Sequence, residues 1–362
     1  MTTSLPTSLP VAAPPSLGDI AARVDERIAQ ALDPDARRWA GVDADLAAPL
    51  AALRSLVLSG GKRLRPAFCY WAFVGMGGDA DDAAVTDAGC ALELLHTFAL
   101  IHDDVMDASA RRHGVETVHV SFARRHQQLD WHGDPARFGD SVAILVGDLA
   151  FVYADRFLAG APRKALDVWN ELRLEVNIGQ YLDTNGTAAR RADPDLARRI
   201  CRYKSGKYTI ERPLHLGAAL AAPGRIDDVI GALSAYGDPL GEAFQLKDDM
   251  LGVFGDPSVT GKPVGEDLRE GKPTLLHALA ARQATNADRE LLDGRFGAAD
   301  LTTGEVAQIQ DIFRRTGAAA AVADTIERLV DRALAAAECL PLSPDAVGAL
   351  MELARFVAGR DH

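Results

Sequence analysis

The sequence predicts an all-α protein, and three features of the 362-residue chain carry that prediction. Apolar residues recur at spacings of three and four, which is the spacing of one face of an α-helix. Ala, Leu, Arg and Glu, which favour helices, are abundant, and alternating β-branched runs are almost absent. With 48% hydrophobic and 25% charged residues, the chain can bury a sizeable core. We therefore expect a single large helical bundle.

The charge balance of the chain argues against a nucleic-acid partner. Lys and Arg number 39 against 51 Asp and Glu, which gives a formal net charge of -12 at pH 7. Such a surplus of negative charge repels nucleic-acid phosphates and anionic membrane surfaces unless basic residues gather in one patch. We therefore expect no nucleic-acid partner.

The cysteines and the apolar segments predict a cytoplasmic protein. No C-x-x-C spacing occurs, so we expect buried free thiols, and neither disulfides nor zinc. Residues 1–16 lack the basic start and long apolar core of a signal peptide, and no later segment reaches the roughly eighteen apolar residues of a transmembrane helix. We therefore expect no transmembrane segment. The four cysteines are Cys69, Cys90, Cys201 and Cys339.

The predicted helices follow one another along the chain with mostly short breaks. Residues 1–16, rich in Pro and Ser, are expected to form a flexible tail. Residues 17–362 are expected to form one all-helical domain, because no composition shift, long linker or internal repeat divides them. Residues 127–140 are one possible loop insertion. The predicted helices span residues 17–32, 43–59, 64–76, 81–107, 114–127, 138–159, 163–184, 193–204, 206–222, 226–253, 273–282, 285–294, 303–315, 317–338 and 344–358.

The first candidate site along the chain is "SGGKRLRP", residues 59–66, just before a predicted helix. Its two glycines let the backbone approach an anion, and Lys62, Arg63 and Arg65 supply positive charge. Pro66 is tolerated in the first turn of the following helix. The stretch indicates a phosphate site, although a Gly-Gly turn with exposed basic residues is also an ordinary structural feature.

A second candidate site is "LIHDDVMDASARRHG", residues 100–114, at the end of an apolar helix. Residues four apart share a helix face, so Asp103 and Asp107 project together while Asp104 points away. Magnesium prefers oxygen ligands, and substrate phosphates usually complete its coordination. Arg111 and Arg112 follow, and guanidinium groups bind phosphate oxygens bidentately. The stretch therefore indicates a metal-bound diphosphate; the alternative is a solvated acidic helix end.

A second acidic pair, Asp248 and Asp249, again stands at the end of an apolar helix. A Gly-rich loop comes next and carries Lys262 and Lys272. Two acidic helix ends, each trailed by basic residues, indicate two walls of a cavity that holds metal ions around an anion. Gly252 stands four residues after Asp248, so this side offers Asp248 as its clear ligand and is expected to bind metal less strongly.

Three weaker signals surround these motifs. "YKSGKYT" puts Lys204 and Ser205 at a predicted helix break, and "GQYLD" carries Gln180 and Asp183 on the preceding helix. His96 lies on nearly the same helix face as Asp103. Taken singly, these residues are as well explained by ordinary caps, buried amides and a hydrogen-bonded core histidine.

In combination, these motifs resemble the trans-isoprenyl diphosphate synthases, the polyprenyl synthetase family. The resemblance covers residues 20–358 and rests on "GGKRLRP", "LIHDDVMD…RRHG", "GQYLD", "YKSGKYT", "FQLKDD" and "GKPVGEDLREGKPT", in that order. It implies a homodimer of the all-helical isoprenoid synthase fold, with a deep central cavity in each subunit. The chain departs from the fullest family pattern at Gly252, where a third aspartate often stands, and at His113, which follows the arginine pair.

The resemblance implies condensation of isopentenyl diphosphate with an allylic diphosphate, such as dimethylallyl, geranyl or farnesyl diphosphate. Magnesium would assist departure of the allylic diphosphate, the second substrate's double bond would attack the carbocation, and a proton would be lost. It implies two magnesium ions on Asp103 and Asp107 and a third on Asp248. It places the allylic diphosphate near Arg111, Lys262 and Lys272, and isopentenyl diphosphate near Lys62, Arg65, His96 and Arg112. It places Lys204, Ser205 and Gln245 near the cationic carbons, and Gln180 and Asp183 are candidate substrate-binding residues.

Two other classes share parts of this pattern. A class I terpene cyclase also ionises an allylic diphosphate, but its second metal motif, N-D-x-x-S-x-x-x-E, does not occur in this sequence. A non-catalytic partner subunit of a heteromeric prenyl synthase usually loses the first aspartate-rich motif, which this chain keeps. Incubation with isopentenyl and farnesyl diphosphates distinguishes the classes.

Product length is expected to depend on residues that precede Asp103 on its helix. Ala99 leaves room for a growing chain, and Leu95 lies about 12 Å below Asp103. In the family, a chain with an aromatic residue five positions before the first aspartate and a small residue four positions before it resembles the geranylgeranyl diphosphate synthases. Phe98 and Ala99 match that pattern, which favours geranylgeranyl diphosphate, with farnesyl or longer products as the alternative. Helical geometry alone turns Phe98 about 140° from Asp103.

Overall fold

The computed structural model describes residues 13–112, 114–255 and 265–359. In these ranges the regular structure is almost entirely helical, and the predicted all-α class is confirmed. The only strands there are Arg111–Arg112 and Val115–Glu116, which pair antiparallel. A 3₁₀-helix spans Ala44–Leu46 and a π-helix spans Cys201–Glu211. The α-helices are α1 Pro15–Ala40, α2 Ala47–Val57, α3 Leu64–Gly75, α4 Ala83–Met106, α5 Val118–Gln128, α6 Pro135–Phe157, α7 Arg163–Ala188, α8 Pro194–Ile200, α9 Arg212–Ala221, α10 Ile226–Phe254, α11 Glu266–Glu270, α12 Leu275–Gln283, α13 Asn286–Arg295, α14 Thr303–Arg315, α15 Ala318–Ala337 and α16 Pro344–Gly359.

The described residues group into two compact units. The N-terminal unit comprises Pro15–Val168 and Pro213–Ile226, and the C-terminal unit comprises Trp169–Arg212 and the residues from Asp227 onward. The predicted single domain over residues 17–362, its central cavity and the flexible tail stay predictions. Helix α1 begins at Pro15, and residues 1–12 lie outside the described part of the chain.

The N-terminal unit is built around α1 and α4. Helix α1 buries one stripe of side chains spaced three and four apart, which is the pattern of a surface helix that covers a core. Helix α4 is buried around most of its circumference and packs along α3 and α6. The buried stripe of α1 is Leu17, Ile20, Val24, Ile28 and Leu32.

By length and composition, one helix of the described residues is apolar enough to cross a membrane, and that helix is α4. Most of its apolar window is buried inside the protein. Leu92, Leu94 and Leu95 are fully buried. The central helix of a protein core meets the same criterion, and α4 has the burial of such a helix.

Ion pairs within the N-terminal unit extend α1 beyond its predicted end at residue 32. The helix continues through Pro34 to Ala40. Asp33 accepts a 2.6 Å bond from Arg54, and Asp35 accepts a 2.5 Å bond from Arg156. These contacts hold the added turns, although proline removes one backbone donor.

The loop insertion predicted over residues 127–140 is confined to residues 129–134, because helices occupy both ends of that stretch. Helix α5 ends at Gln128, and α6 begins at Pro135. The Asp134 side chain accepts a hydrogen bond from the amide of Ala136. Asp at the N-cap followed by Pro in the first turn is a strong start signal for a helix.

The helix break predicted between residues 204 and 206 does not exist. The π-helix continues directly from α8 into α9. A Cβ at Gly206 would lie 2.8 Å from the carbonyl carbon of Gly241, and one at Gly179 would overlap the backbone of Lys204. Glycine at these positions lets the π-helix lie in close backbone contact with α7 and α10.

The C-terminal unit has its own core, formed by α10, α12, α14 and α15. The buried phenol of Tyr236 donates a 2.7 Å hydrogen bond to the carbonyl of Leu350. Thr285 and Thr302 form capping boxes that start α13 and α14. Central members of this core are Leu246, Leu276, Ile309, Phe313 and Val322.

The structure contains free cysteines, three of them buried as expected: Cys69, Cys90 and Cys201. Cys339 is exposed, so the expectation of burial is wrong for that thiol. It lies in the turn that follows α15 and not on the apolar face of a helix.

Candidate active site

The first acidic motif occupies the last turn of α4. The amide of Asp107 donates a 2.8 Å hydrogen bond to the carbonyl of Asp103, so the helical register continues to residue 107. Both side chains are half-buried. Ala108 then adopts a left-handed conformation (φ 52°), and the amide of Ser109 bonds to the Asp104 carbonyl, which closes the helix. The register that brings Asp103 and Asp107 to one face therefore holds.

Asp104 holds Arg112 beside this pair. The Arg112 guanidinium donates to the buried Asp104 carboxylate at 2.7 and 2.9 Å. It also lies 4.0 Å from Asp103 Oδ2. Burial raises the pKa of Asp104, although Arg112 opposes this effect. The sequence identified Arg112 but not Asp104 as its anchor. The available signal was the second aspartate of D-D-x-x-D, which points away from the face of Asp103 and Asp107.

A two-residue hairpin carries the arginines, where a helix from residue 114 was expected. Arg111 pairs with Glu116, Arg112 pairs with Val115, and Gly114 has a φ of 77°. Helix α5 begins only at Val118. Successive strand residues point to opposite faces, so the two guanidinium groups diverge. His113 lies outside the described residues.

The basic stretch before α3 divides into one structural residue and two candidate ligands. Arg63 is buried, with its guanidinium 2.7 Å from Glu93 and 2.9 Å from Asp25. It adopts a left-handed conformation (φ 48°) at the start of α3. Arg63 therefore anchors the loop, and its positive charge is paired within the protein. Lys62 and Arg65, on either side, are half-buried.

The predicted product-length residues lie on different faces of α4. Leu95 is fully buried, while Ala99 and His96 are half-buried. The Phe98 ring lies 4.9 Å from the ring of Phe151 on α6. The Phe98 ring also lies 4.6 Å from the His102 imidazole, which contacts the Ile144 carbonyl. Phe151 was missed, because no local pattern marks which aromatic residue of another helix will face Phe98.

In the C-terminal unit, the structure joins two of the weaker sequence signals. The Lys204 ammonium lies 2.5 Å from Asp183 Oδ2. Gln180 lies one turn earlier on α7, and Ser205 follows Lys204 in the π-helix; both are half-buried. The ion pair between Lys204 and Asp183 therefore joins "YKSGKYT" to "GQYLD".

The second acidic motif lies in the last two turns of α10, which ends at Phe254, one residue beyond the predicted end at residue 253. Asp248 is half-buried, and Asp249 is buried. The Gln245 amide donates a 2.7 Å hydrogen bond to Asp249 Oδ1. Burial, together with the charges of Asp267 and Asp248, raises the pKa of Asp249 to about 7, against the effect of Gln245.

Asp267 fills the space beside Gly252, the position where the family pattern often has aspartate. A Cβ at Gly252 would overlap the Asp267 carboxylate. Asp267 is buried, and its Oδ1 lies 3.5 Å from the Lys272 ammonium, which also lies 2.6 Å from Glu270. Asp267 is a further carboxylate of this motif that sequence reasoning missed. Lys262 lies outside the described residues.

This packing predicts that Gly252→Ala lowers stability. Alanine favours helices by about 1 kcal/mol over glycine, but overpacking against Asp267 is expected to cost about 1–3 kcal/mol. Urea unfolding in the presence of a metal chelator measures the difference in free energy of unfolding between the wild type and the variant. In an Asp267→Ala background the same substitution should raise the free energy of unfolding, and a cost that persists there would contradict the packing argument.

The donor chemistry of the candidate ligands fits magnesium. Asp103 and Asp107 in the N-terminal unit, and Asp248 in the C-terminal unit, each offer carboxylate oxygens, the ligands that hard cations prefer. Within the described ranges, no three His, Cys, Asp or Glu side chains form a group able to hold a metal by themselves. Magnesium is commonly bound by one or two carboxylates, with waters and substrate phosphates as the other ligands.

Comparison with known proteins assigns the chain to a family. Residues 49–313 match the polyprenyl synthetase family. The short chain isoprenyl diphosphate synthase of Methanothermobacter thermautotrophicus is 34% identical over 86% of this chain and 90% of its own length. The geranylgeranyl diphosphate synthase of Mycobacterium tuberculosis is 34% identical over 84% of this chain and 81% of its own.

A solved structure gives the same assignment. It is the geranylgeranyl pyrophosphate synthase of Corynebacterium glutamicum, complexed with isoprenyl diphosphate and magnesium. It is 37% identical to this chain, with a TM-score of 0.89 over 95% of this chain and 99% of the solved one. The chain therefore belongs to the polyprenyl synthetase family, and it is a prenyl-transferring enzyme of that family.

Proposed function

We propose that this chain condenses isopentenyl diphosphate with an allylic diphosphate and that its main product is geranylgeranyl diphosphate. One observation carries the proposal: the buried Asp104 holds the Arg112 guanidinium 4.0 Å from Asp103, beside the carboxylate pair. A fixed cation next to two carboxylates suits an anion that binds together with metal ions.

The proposed sites for the two diphosphates use different groups. Arg111 and Arg112 point to opposite faces of the hairpin, which suits the binding of one diphosphate by each guanidinium. Lys62, Arg65 and His96 are assigned with Arg112 to isopentenyl diphosphate. Asp103, Asp107 and Arg111 are assigned to the allylic diphosphate and its two magnesium ions, and Asp248, Lys262 and Lys272 to that diphosphate and a third ion.

Side chains of the proposed site would stabilise the two charges that form when the allylic diphosphate ionises. Bound magnesium would neutralise charge on the departing diphosphate. Arg111 and Lys272 would add fixed positive charge where negative charge develops, which lowers the barrier most in a site that excludes water. The dipoles of Gln245 and Ser205 and the carbonyls of the π-helix would stabilise the allylic cation. Gln180 and Asp183 would orient Lys204, whose ammonium contacts Asp183.

The assignment of Lys62 predicts a selective kinetic effect. Lys62→Ala is expected to raise the KM for isopentenyl diphosphate about tenfold or more and to leave the KM for the allylic diphosphate nearly unchanged, since one charge-assisted hydrogen bond contributes about 1.5–3 kcal/mol. Steady-state kinetics with each substrate varied in turn measures both constants. The reverse pattern would mean that the two diphosphate sites are exchanged.

Two other functions receive less support. A class I terpene cyclase needs no second diphosphate site, whereas Arg63 anchors the loop that carries Lys62 and Arg65. A non-catalytic partner subunit would have no use for the fixed arrangement of Asp103, Asp107 and Arg112. Geranylgeranyl diphosphate is preferred as the product because Phe98 is followed by the small Ala99, and a farnesyl or longer product remains the alternative.

We also propose that the protein is a homodimer. Helix α6 exposes Ile144, Leu145 and Val152, and α7 exposes Leu174, Ile178 and Tyr181. The α7 side chains are spaced four and three apart, so they form one apolar stripe that a second copy could cover. Ile178→Glu is expected to yield monomers in light scattering, whereas Asn177→Glu, at an exposed neighbour, should not. A dimeric Ile178→Glu would exclude this stripe as the interface.

We further propose that the enzyme works in the cytoplasm. Its free thiols, three of them buried, fit a reducing compartment.

A further inference from the structure

A buried charge cluster in the C-terminal unit has no part in the proposed reaction. Glu175 on α7 accepts hydrogen bonds from Lys207 at 2.8 Å and from Arg212 at 2.6 and 2.7 Å. Lys207 also lies 3.2 Å from Glu211, which accepts a 2.7 Å bond from Ser234. Burial would raise the pKa of Glu175, but the two cations hold it below its ordinary value. The two cations and two carboxylates carry no net charge together.

The relative positions of Lys207 and Arg212 depend on the helical register of the residues between them. Lys207 and Arg212 are five residues apart, and both bind the carboxylate of Glu175. On an α-helix, residues five apart are turned about 140° from each other around the axis. In a π-helix, hydrogen bonds join residues five apart, so these residues lie nearly one above the other. Glu175 can therefore bind both cations well in the π register and not in the α register.

The register matters because the same π-helix carries Lys204 and Ser205. A wide turn contains one more residue than an α turn, so conversion to α-helix would rotate side chains on one side of it by about 100° relative to the other. Lys204 Nζ now lies 2.5 Å from Asp183, eight residues after Glu175 on α7. A change of register would move the ammonium of Lys204 away from Asp183.

The cluster is better explained by selection of one register than by added stability. Buried ion pairs contribute little net stability, because the cost of removing charges from water offsets their attraction. Runs of π-helix are rare and occur mostly as single turns at functional sites. A rare backbone conformation persists only where its surroundings over-determine it. Three charged contacts on Glu175 meet that requirement.

We propose that Glu175 is a positioning residue: by binding Lys207 and Arg212 together, it holds the π-helix in the register that presents Lys204 and Ser205 to the reacting carbons. Glu175 itself touches no substrate. This inference rests on the proposed function, because it assigns a rate effect to the placement of Lys204.

The test is a charge-balanced double substitution, Glu175→Gln with Lys207→Met, which leaves Glu211 and Arg212 to neutralise each other. We expect kcat to fall about 100-fold, as for a catalytic group displaced by about 1 Å, and the KM for both diphosphates to stay the same. Amide hydrogen exchange over residues 201–211 should quicken. Lys207→Arg alone, which preserves a cation for Glu175, should keep most of the wild-type kcat.

The matched control is Arg295→Gln with Glu305→Gln, which removes an ion pair of 2.6 Å between α13 and α14. It should lower the melting temperature and leave kcat unchanged. The proposal is overturned if the Glu175 double variant keeps wild-type kcat, if the control loses kcat equally, or if Lys207→Arg alone loses as much kcat as the double variant. If the wild type fails to condense the two diphosphates, the proposed function is wrong, while unchanged exchange over residues 201–211 would separately contradict the register argument.

Discussion

Asp103→Ala and Asp107→Ala are each expected to lower kcat about a thousandfold at saturating magnesium, since metal stabilisation of transition-state charge contributes several kcal/mol. The fold should be unaffected. Both side chains are half-buried, and the charge of Asp103 disfavours ionisation of the neighbouring Asp104. Removing Asp103 relieves that repulsion, so the melting temperature is expected to hold or to rise. Steady-state kinetics and thermal unfolding measure the two effects.

Asp104→Ala is the matched contrast to these variants. It removes a buried carboxylate, with a side chain 4% exposed, that pairs with the Arg112 guanidinium. Breaking a buried pair leaves an uncompensated charge and is expected to cost about 3–5 kcal/mol of stability. Near-wild-type activity in Asp103→Ala or Asp107→Ala, or a loss of stability as large as that of Asp104→Ala, would contradict their assignment as metal ligands.

Phe98→Ala is expected to change the product, which should become longer by one or more isoprene units. Its half-buried ring fills space against Phe151 and His102, and removal of that aromatic side chain leaves space that a growing chain can enter. Phe151→Ala should lengthen the product in the same way, because the two rings lie 4.9 Å apart. Chromatography of the dephosphorylated products measures chain length.

The control for product length is Phe157→Ala, an aromatic residue on α6 outside the Phe98–His102–Phe151 group. It should leave the product unchanged. If Phe98→Ala and Phe151→Ala also leave it unchanged, chain length is set elsewhere, and the buried Leu95 is the next residue to test.

The sequence was sufficient to predict features that depend on local spacing. The helical class, α10 from Ile226 and the shared face of Asp103 and Asp107 all follow from a period of 3.6 residues. The order of the charged motifs was sufficient to identify the family. Such patterns are contained in short stretches of chain, so they can be recognised without the fold.

Features that depend on contacts between distant residues could not be predicted. "YKSGKYT" indicated a helix break because Ser-Gly favours one, but a π-helix runs through it, and Lys207 of that helix binds Glu175, about thirty residues earlier. Arg63 appeared equivalent to Lys62 until its contacts with Asp25 and Glu93 distinguished them. Gly252 appeared to be a missing ligand, although Asp267 fills the space beside it.

The measurement that tests the central claim most directly is incubation of the wild-type protein with magnesium, labelled isopentenyl diphosphate and farnesyl diphosphate. The account predicts that one inorganic diphosphate is released for each labelled isoprene unit incorporated, with geranylgeranyl diphosphate as the main product, and that a chelator abolishes both events. Release of diphosphate with an unlabelled hydrocarbon product would instead indicate a cyclase. No turnover of either substrate would contradict the account and favour a non-catalytic subunit.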